Sequence, residues 1–273
     1  GLTAFGADGF TVGADGDFNG GSATFVGWNW KAGTTSGLTG GTITPGAYSF
    51  NTTSGISIIQ YDGNSTSGAT VPHGLGAAPT MVWVKNLDSG DDWAVGFDSL
   101  GWTKYLKFND DGGSSTTSVI WNDTAPSTTV VTLGDNAIVN TATTRGYIMY
   151  AFAPIKGYSA FGSYSSNAAE SDGPFIYTGF RPAYTMIKES GGSNPWVVDD
   201  VTRETTNEMG KPLKPNNTDG TYAGSAYGID FLSNGFKIRN GDSTYNGTSN
   251  DFIYAAFAEA PLVNSSGVPV NAR

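Results

Sequence analysis

The chain has 273 residues, which is enough for one large domain or two smaller ones with a sizeable core. Its formal net charge of −10 argues against nucleic acid and anionic membranes as partners, since both would repel it. The sequence contains no cysteine, which excludes disulfides, thiolate metal sites and a catalytic cysteine, and no apolar run approaches the ~18 residues of a membrane span.

The composition predicts an all-β protein with many turns. Glycine accounts for 39 residues and charged residues for 14% of the chain, against about 25% in ordinary soluble proteins. No long stretch shows the 3.6-residue apolar period of a helix. Short β-branched and aromatic runs alternate instead with Gly, Asn and Asp, the residues that favour turns.

The first pattern along the chain is GFTVGADGDFNGGSATFVGWNW at Gly9–Trp30, a strand, a polar turn and a second strand of aromatic and small residues. It recurs at Gly235–Phe257 and more loosely at Val130–Phe152. Because the two later copies each close a unit, we expect residues 1–44 to be the closing hairpin of a preceding repeat unit plus a linker. The chain is then expected to be a fragment of a longer polypeptide.

Residues 45–157 follow as the first complete unit. Turn signals every 8–12 residues between short strands are typical of a sandwich or jelly roll. Strings such as TMVWV are apolar on both faces, which predicts that units pack on one another or on neighbouring chains. The only helix-like stretch of the whole chain, Val201–Met209, lies in the unit that follows. The predicted strands are Ile56–Tyr61, Thr80–Lys85, Trp93–Phe97, Tyr105–Phe108, Ser118–Trp121, Thr129–Leu133 and Tyr147–Ala153.

A second complete unit is predicted at residues 158–273 from an internal repeat. Four residues recur with a constant offset of 103 positions, which is improbable by chance. The fold class is therefore expected to be tandem antiparallel β-sandwich units, jelly-roll-like, with equivalent tryptophans inside both sandwiches. The matched pairs are Tyr61 and Tyr164, Pro79 and Pro182, Lys85 and Lys188, and Trp93 and Trp196.

The strings VPHGLGAAPTMVWVK, WNDTAPSTTVVTLG, DGPFIYTGFRPAYTMIK and GIDFLSNGFKIR, with the ending YAAFAEAP…NAR, resemble a repeat family common in marine bacteriophages, cyanophages among them. The resemblance implies a tail fibre or other virion surface component built of concanavalin/laminin-G-like jelly rolls. It further implies an extracellular location, a homo-oligomer (a trimer by analogy with fibres), other virion proteins as partners and attachment to a host glycan or surface receptor. Asn271–Arg273 resembles the natural C-terminus of such proteins.

No catalytic constellation stands out, so the chain is not expected to be an enzyme. His73 is the only histidine and lies in a Gly-rich turn. A glycosidase would need two carboxylates about 5–10 Å apart in a cleft. The alternatives that stay open are a glycan-degrading tailspike-type hydrolase and a capsid-decorating or scaffolding protein without a ligand. The acidic candidates for hydrolysis are Asp91, Asp92, Asp98, Asp199, Asp200 and Glu204.

Calcium is a second use for the acidic loops, since it prefers carboxylate and amide oxygens. Turn formation by Asx side chains explains the same residues equally well, and no other cofactor is expected. The candidate calcium ligands are Asp88, Asp91 and Asp92, or Asn109, Asp110 and Asp111.

Aromatic rings that the repeat does not require are the candidate glycan-binding residues, because a flat ring can stack on a sugar. Trp102 and Trp83 have Thr205 and Met186 at the 103-residue offset, and Trp121 has no evident counterpart. Trp102 is therefore the first candidate for ligand binding, followed by Trp83 and Trp121.

Overall fold

The computed structural model describes residues 1–6, 9–141, 145–218, 227–248 and 250–259 and shows an all-β protein, as the composition predicts. The expected C-terminal residues Asn271–Arg273 lie outside the described part. The chain divides into two compact units, Gly1–Trp30 and Lys31–Arg273. None of the helices in the described residues is long and apolar enough to cross a membrane.

The N-terminal unit, Gly1–Trp30, is a small hairpin followed by one helical turn. Strand β1 (Leu2–Phe5) pairs antiparallel with β2 (Phe10–Val12), and helix α1 (Gly16–Asn19) begins after the Asp15 cap. Most of its large apolar side chains are exposed, which leaves this unit with almost no core of its own. The exposed members are Leu2, Phe5, Phe10, Phe18 and Phe25.

The first sandwich has a seven-stranded sheet in the order β3-β4-β11-β6-β7-β8-β9, faced by the antiparallel pair β10-β5. Its core fills the space between the two sheets and includes Ile59, Val71, Val84 and Val131. Ile43, which lies within the predicted linker, also belongs to this core. The elements are β3 (Ala47–Asn51), β4 (Ile56–Asp62), β5 (Ala69–Pro72), β6 (Met81–Asn86), β7 (Ala94–Phe97), β8 (Lys104–Lys107), β9 (Ser115–Thr116), α2 (Ser118–Trp121), β10 (Val130–Leu133) and β11 (Gly146–Phe152).

The second sandwich has a four-stranded sheet, β12-β18-β14-β15, faced by the three-stranded sheet β13-β17-β16. Ile176 and Phe236 from the smaller sheet pack against Ile187 and Phe252 from the larger one. The elements are β12 (Ser159–Ser165), β13 (Phe175–Tyr177), β14 (Tyr184–Glu189), β15 (Val197–Asp200), β16 (Ile229–Leu232), β17 (Gly235–Ile238), α3 (Ser243–Asn246) and β18 (Asp251–Phe257).

Three strands of the second sandwich begin and end 103 residues after their counterparts: β12 follows β4, β14 follows β6 and β15 follows β7. Side-chain contacts follow the same offset. Lys85 Nζ donates to the carbonyls of the next residue and of the residue four further on, at 2.6 and 2.9 Å, and Lys188 does the same at 2.8 and 3.2 Å.

The two large sheets pack on each other through an aromatic layer. Phe152 lies 6.1 Å from both Phe161 and Phe257, measured between ring centroids. The outer face of β11 is thus covered, in agreement with the apolar pattern on both faces of that strand.

The two equivalent tryptophans lie in different places from those expected. Trp93 is half-buried, whereas Trp196 is 1% exposed. Trp196 packs on Phe108 at 5.3 Å and its indole N–H donates to Lys107 O at 2.9 Å. It is therefore buried between the two sandwiches, and the prediction that both tryptophans lie inside their own sandwiches is wrong.

Two local predictions are also wrong. Ser118–Trp121 is helix α2 rather than a strand, because the Thr117 side chain caps its first turn and Asn122 ends it in the left-handed region at φ 51°. Val201–Met209 is not a helix: the Asp200 carboxylate caps a single turn at residues 201–203, and Met209 forms a bridge to Ile229 of β16.

Candidate functional site

Trp102 and Trp121 belong to the core of the first sandwich. They are 6% and 0% exposed, and their rings meet edge to face at 5.6 Å. Trp102 Nε1 also donates to Asp98 Oδ1 at 3.2 Å. A Cβ at Gly96 would come within 2.5 Å of Trp102, so the glycine leaves room for these rings. Neither ring offers a face to a ligand in this structure.

Trp83 lies on the opposite side of the same sheet. Its neighbours Val82 and Val84 point into the core, while Trp83 stacks on Phe108 at 5.2 Å and 22°. Tyr150 lies 6.2 Å away. The three candidate tryptophans are therefore not brought together. Trp83 instead packs on Phe108, which also contacts Trp196.

The three acidic residues proposed for calcium each have a protein partner of their own. Asp88 Oδ2 accepts from the backbone N–H of Gly146 at 2.6 Å. Asp91 Oδ2 accepts from Asn86 Nδ2 at 2.9 Å and from Ser89 Oγ at 2.5 Å.

Asp92 Oδ2 pairs with Lys107 Nζ at 2.8 Å, and that hydrogen bond, with a second from Asn109, lowers the pKa of the Asp92 carboxyl. Asp110 and Asp111 accept from Gly112 N and Asn216 Nδ2. No group of three or more His, Asp or Glu residues placed to hold a metal occurs among the residues that the structure describes.

The three acidic candidates for hydrolysis in the second sandwich each bind a different partner within the protein. Asp199 is 1% exposed and accepts from Tyr245 Oη at 2.8 Å. Burial raises the pKa of its carboxyl to about 7. Asp200 pairs with Arg203 at 2.6 Å, and Glu204 accepts backbone N–H groups at residues 210 and 211. Asp199 lies in the interior, where it faces a tyrosine.

His73 takes the structural role that its turn indicates. It is buried, its Nδ1 accepts from Leu75 N at 3.2 Å and its Nε2 lies 3.2 Å from Ser127 O. Burial lowers the pKa of the imidazole.

Among the described residues of the second sandwich, the exposed aromatic side chains lie on β13, where the sequence analysis predicts no binding residue. Phe175 is 45% exposed and Tyr177 is 67% exposed, while Ile176 between them is buried. The equivalent outward positions of the first sandwich, on the strand paired with β10, are Thr70 and Pro72. The search for aromatics that the repeat does not require would have found both rings, had it been extended from tryptophan to phenylalanine and tyrosine.

We call the outer surface of this sheet the β13 face. Its cross-strand register forms two rows: Phe175, Lys237 and Asp230 in one, and Tyr177, Gly235 and Leu232 in the other. A Cβ at Gly235 would lie 2.1 Å from Ile176 O and 3.0 Å from the Phe175 ring, so the glycine allows both the β13 backbone and this ring to lie close. The result is an aromatic platform with charged side chains at its border.

The charges at that border are paired. Lys237 Nζ lies 2.7 Å from Asp172 Oδ1, and this hydrogen bond lowers the pKa of the Asp172 carboxyl. Arg239 Nε lies 3.4 Å from Asp230 Oδ2. Two cations and two anions balance, so the β13 face is locally neutral although the whole chain is acidic.

A family model described as a domain of unknown function, DUF7483, matches residues 1–261. The chain belongs to the DUF7483 family. No curated protein and no solved structure matched this DUF7483 chain.

Proposed function

We propose that this DUF7483 protein is a non-enzymatic component of a bacteriophage virion surface, a tail fibre or similar appendage, that attaches to host glycan through the β13 face. The virion location, the homo-oligomeric state and the other virion proteins as partners rest on the sequence resemblance. The glycan-binding surface rests on one structural observation, the exposed pair Phe175 and Tyr177 beside paired charges.

The chemistry of this face suits an uncharged sugar. A pyranose presents an apolar C–H face that stacks on an aromatic ring, and hydroxyls at its rim that bond to ionic side chains. Phe175 and Tyr177 alternate on one strand, so their side chains stand about 7 Å apart, which is close enough to contact adjoining sugar residues. A polyanionic glycan is disfavoured by the net charge of −10.

The test is a glycan array probed with the wild-type chain, with and without calcium, followed by product analysis on every hit. The Phe175→Ala/Tyr177→Ala variant is expected to lose at least tenfold in apparent affinity for those hits. Phe5→Ala is the matched control, because Phe5 is 79% exposed but lies in the N-terminal hairpin.

Three outcomes would contradict the proposal. Hits that survive the double substitution would place binding elsewhere, and cleaved products would favour the hydrolase. No binding under either condition would favour a decorating or scaffolding protein without a ligand.

A further inference from the structure

An asparagine side chain closes the same turn at three places in the chain. In each, Nδ2 donates to the backbone carbonyl six residues earlier, at 3.2, 2.9 and 3.0 Å: Asn19 to Gly13, Asn140 to Gly134 and Asn246 to Asn240. The N-terminal unit therefore contains the closing turn of a sandwich, folded as it is in the two complete sandwiches.

In the complete sandwiches this asparagine also forms hydrogen bonds to the loop that follows β4 or β12. Asn140 Nδ2 also donates to Asn64 Oδ1 at 3.2 Å and to Thr66 O at 3.0 Å, and Asn140 Oδ1 accepts from Asn64 N at 2.7 Å. The second sandwich repeats these contacts at 3.0, 3.0 and 2.9 Å, between Asn246 and Asn167 Oδ1, Ala169 O and Asn167 N.

Asn19 lacks these contacts. Within the described residues, its bond to Gly13 is the one hydrogen bond of its side chain, and Asn19 is exposed, whereas Asn140 and Asn246 are 0% exposed. The Asn19 amide, whose counterparts are buried, is thus exposed to solvent, and most of its hydrogen-bonding groups have no protein partner among the described residues.

Two aromatic residues show the same difference. Residues 13–30 align without gaps on residues 240–257, so Phe25 corresponds to Phe252. Phe252 is 0% exposed and stacks on Tyr164 at 5.1 Å, whereas Phe25 is 52% exposed. Tyr164 Oη also donates to Tyr245 O at 2.8 Å, and Tyr245 corresponds to Phe18 of the N-terminal unit.

The last part of the N-terminal unit forms no strand. Residues 24–30 correspond to β18, which is hydrogen-bonded on both edges, to β12 and to β14. Both of those neighbours come from the opening half of the sandwich. A segment whose two ladder partners come from elsewhere cannot form a ladder without them.

We propose that residues 9–30 are an assembly surface that binds a polypeptide segment of the kind seen at residues 158–218, completing a third sandwich. The occupant carries a Tyr-x-x-Asn pattern, as at Tyr61–Asn64 and Tyr164–Asn167. Its tyrosine stacks on Phe25 and donates to Phe18 O, and its asparagine pairs with Asn19. Its strands flank residues 23–30 and provide their ladder partners.

The experiment extends the full chain at its N-terminus with a copy of residues 158–227, because Gly1 then follows that copy as Gly228 does in the second sandwich. Amide hydrogen exchange at residues 23–30 is expected to slow at least tenfold relative to the unextended chain. The matched control carries Tyr164→Ser and Asn167→Ser in the added copy alone, and exchange there is expected to stay fast.

Equal exchange rates at residues 23–30 in the extended chain and its control, or in the extended and unextended chains, would overturn the proposal. Amides of β4 and β11 report in the same samples whether the first sandwich is intact. An extended chain with an intact first sandwich and unprotected residues 23–30 counts against the proposal. Protection of residues 23–30 that rises with the concentration of the unextended chain would make a second copy the occupant and also overturn it. None of these outcomes depends on glycan binding.

Discussion

Tyr245 Oη donates a 2.8 Å hydrogen bond to Asp199 Oδ2 in the interior of the second sandwich, while Asp199 Oδ1 has no hydrogen-bond partner within the described structure. The carboxyl is buried among aromatic side chains and its pKa is raised to about 7, first by burial. Because the pKa of Asp199 is raised in the folded state, the stability of the second sandwich should fall as the pH rises toward 7. A carboxyl with a lowered pKa has the opposite effect.

Asp199→Asn is expected to change the pH dependence of unfolding. The folded carboxyl holds a proton that the unfolded one releases near the ordinary aspartate pKa of 3.8. Its contribution to stability is therefore fully present below about pH 4, falls by about 1.4 kcal/mol per pH unit above it and levels off above about pH 7. Urea unfolding at several pH values should show this decline in the wild type relative to Asp199→Asn. Parallel curves for the two proteins would contradict the assignment.

Tyr245→Phe should extend to higher pH the range over which the free energy of unfolding declines. The tyrosine hydrogen bond lowers the pKa of the Asp199 carboxyl against the larger effect of burial. Without the hydroxyl, the folded carboxyl should hold its proton to a higher pH, and the decline in the free energy of unfolding should end later. The same urea series measures it, and a window that ends earlier would show that the hydroxyl does not stabilise the charged form.

Asn140→Ala and Asn246→Ala should each reduce the free energy of unfolding by about 3 kcal/mol, since each removes several hydrogen bonds and leaves buried backbone groups unpaired. Asn19→Ala is the matched control, and it should have an effect within about 0.5 kcal/mol because Asn19 is exposed. Chemical denaturation of the three variants measures the difference. Comparable losses at all three positions would show that the N-terminal turn is already enclosed.

Gly96→Ala should destabilise the first sandwich by about 1–3 kcal/mol or more. The added Cβ would lie 2.5 Å from Trp102 and 2.9 Å from Trp121, so both rings would have to move. Gly90→Ala has open space around the new methyl and should leave the stability unchanged. Thermal unfolding of both variants measures the difference. A neutral Gly96→Ala would mean that the two tryptophans are not packed in the core.

Trp196→Phe should cost about 2 kcal/mol, because it leaves the Lys107 carbonyl without its indole donor and opens space between the sandwiches. Trp93→Phe should cost less, since Trp93 is half-buried. Calorimetry should also show whether the two sandwiches then melt separately. Equal losses for the two variants would argue that both tryptophans serve a sandwich interior.

Much of the fold could be predicted from local pattern. Alternating apolar residues and Gly/Asn/Asp turns located strands such as β4, β6 and β11, and the 103-residue offset placed β12, β14 and β15. The sequence predicts a strand at Ser118–Trp121 because its apolar residues suit a strand as well as a buried helical turn. Only the cap at Thr117 and the left-handed Asn122 decide between the two.

The candidate site was harder to predict, because burial depends on partners distant in sequence. Trp102 and Trp121 look dispensable in the repeat, yet they fill space above Gly96 that the second sandwich uses differently, with Asp199 at the equivalent position. Phe175 and Tyr177 are exposed because they lie on the outer face of their sheet, whereas Ile176 on the same strand faces the core. Their alternation with Ile176 is visible in the sequence, but which face meets solvent is not.

The most direct test of glycan attachment is an NMR titration of the ¹⁵N-labelled chain with the strongest neutral hit from the array. Chemical-shift changes are expected at residues 175–177 and 235–237, with the core amides around Trp102 and Trp121 unchanged, and they should disappear in Phe175→Ala/Tyr177→Ala. Shifts confined to another surface, or the absence of any saturable change, would contradict a binding role for the β13 face.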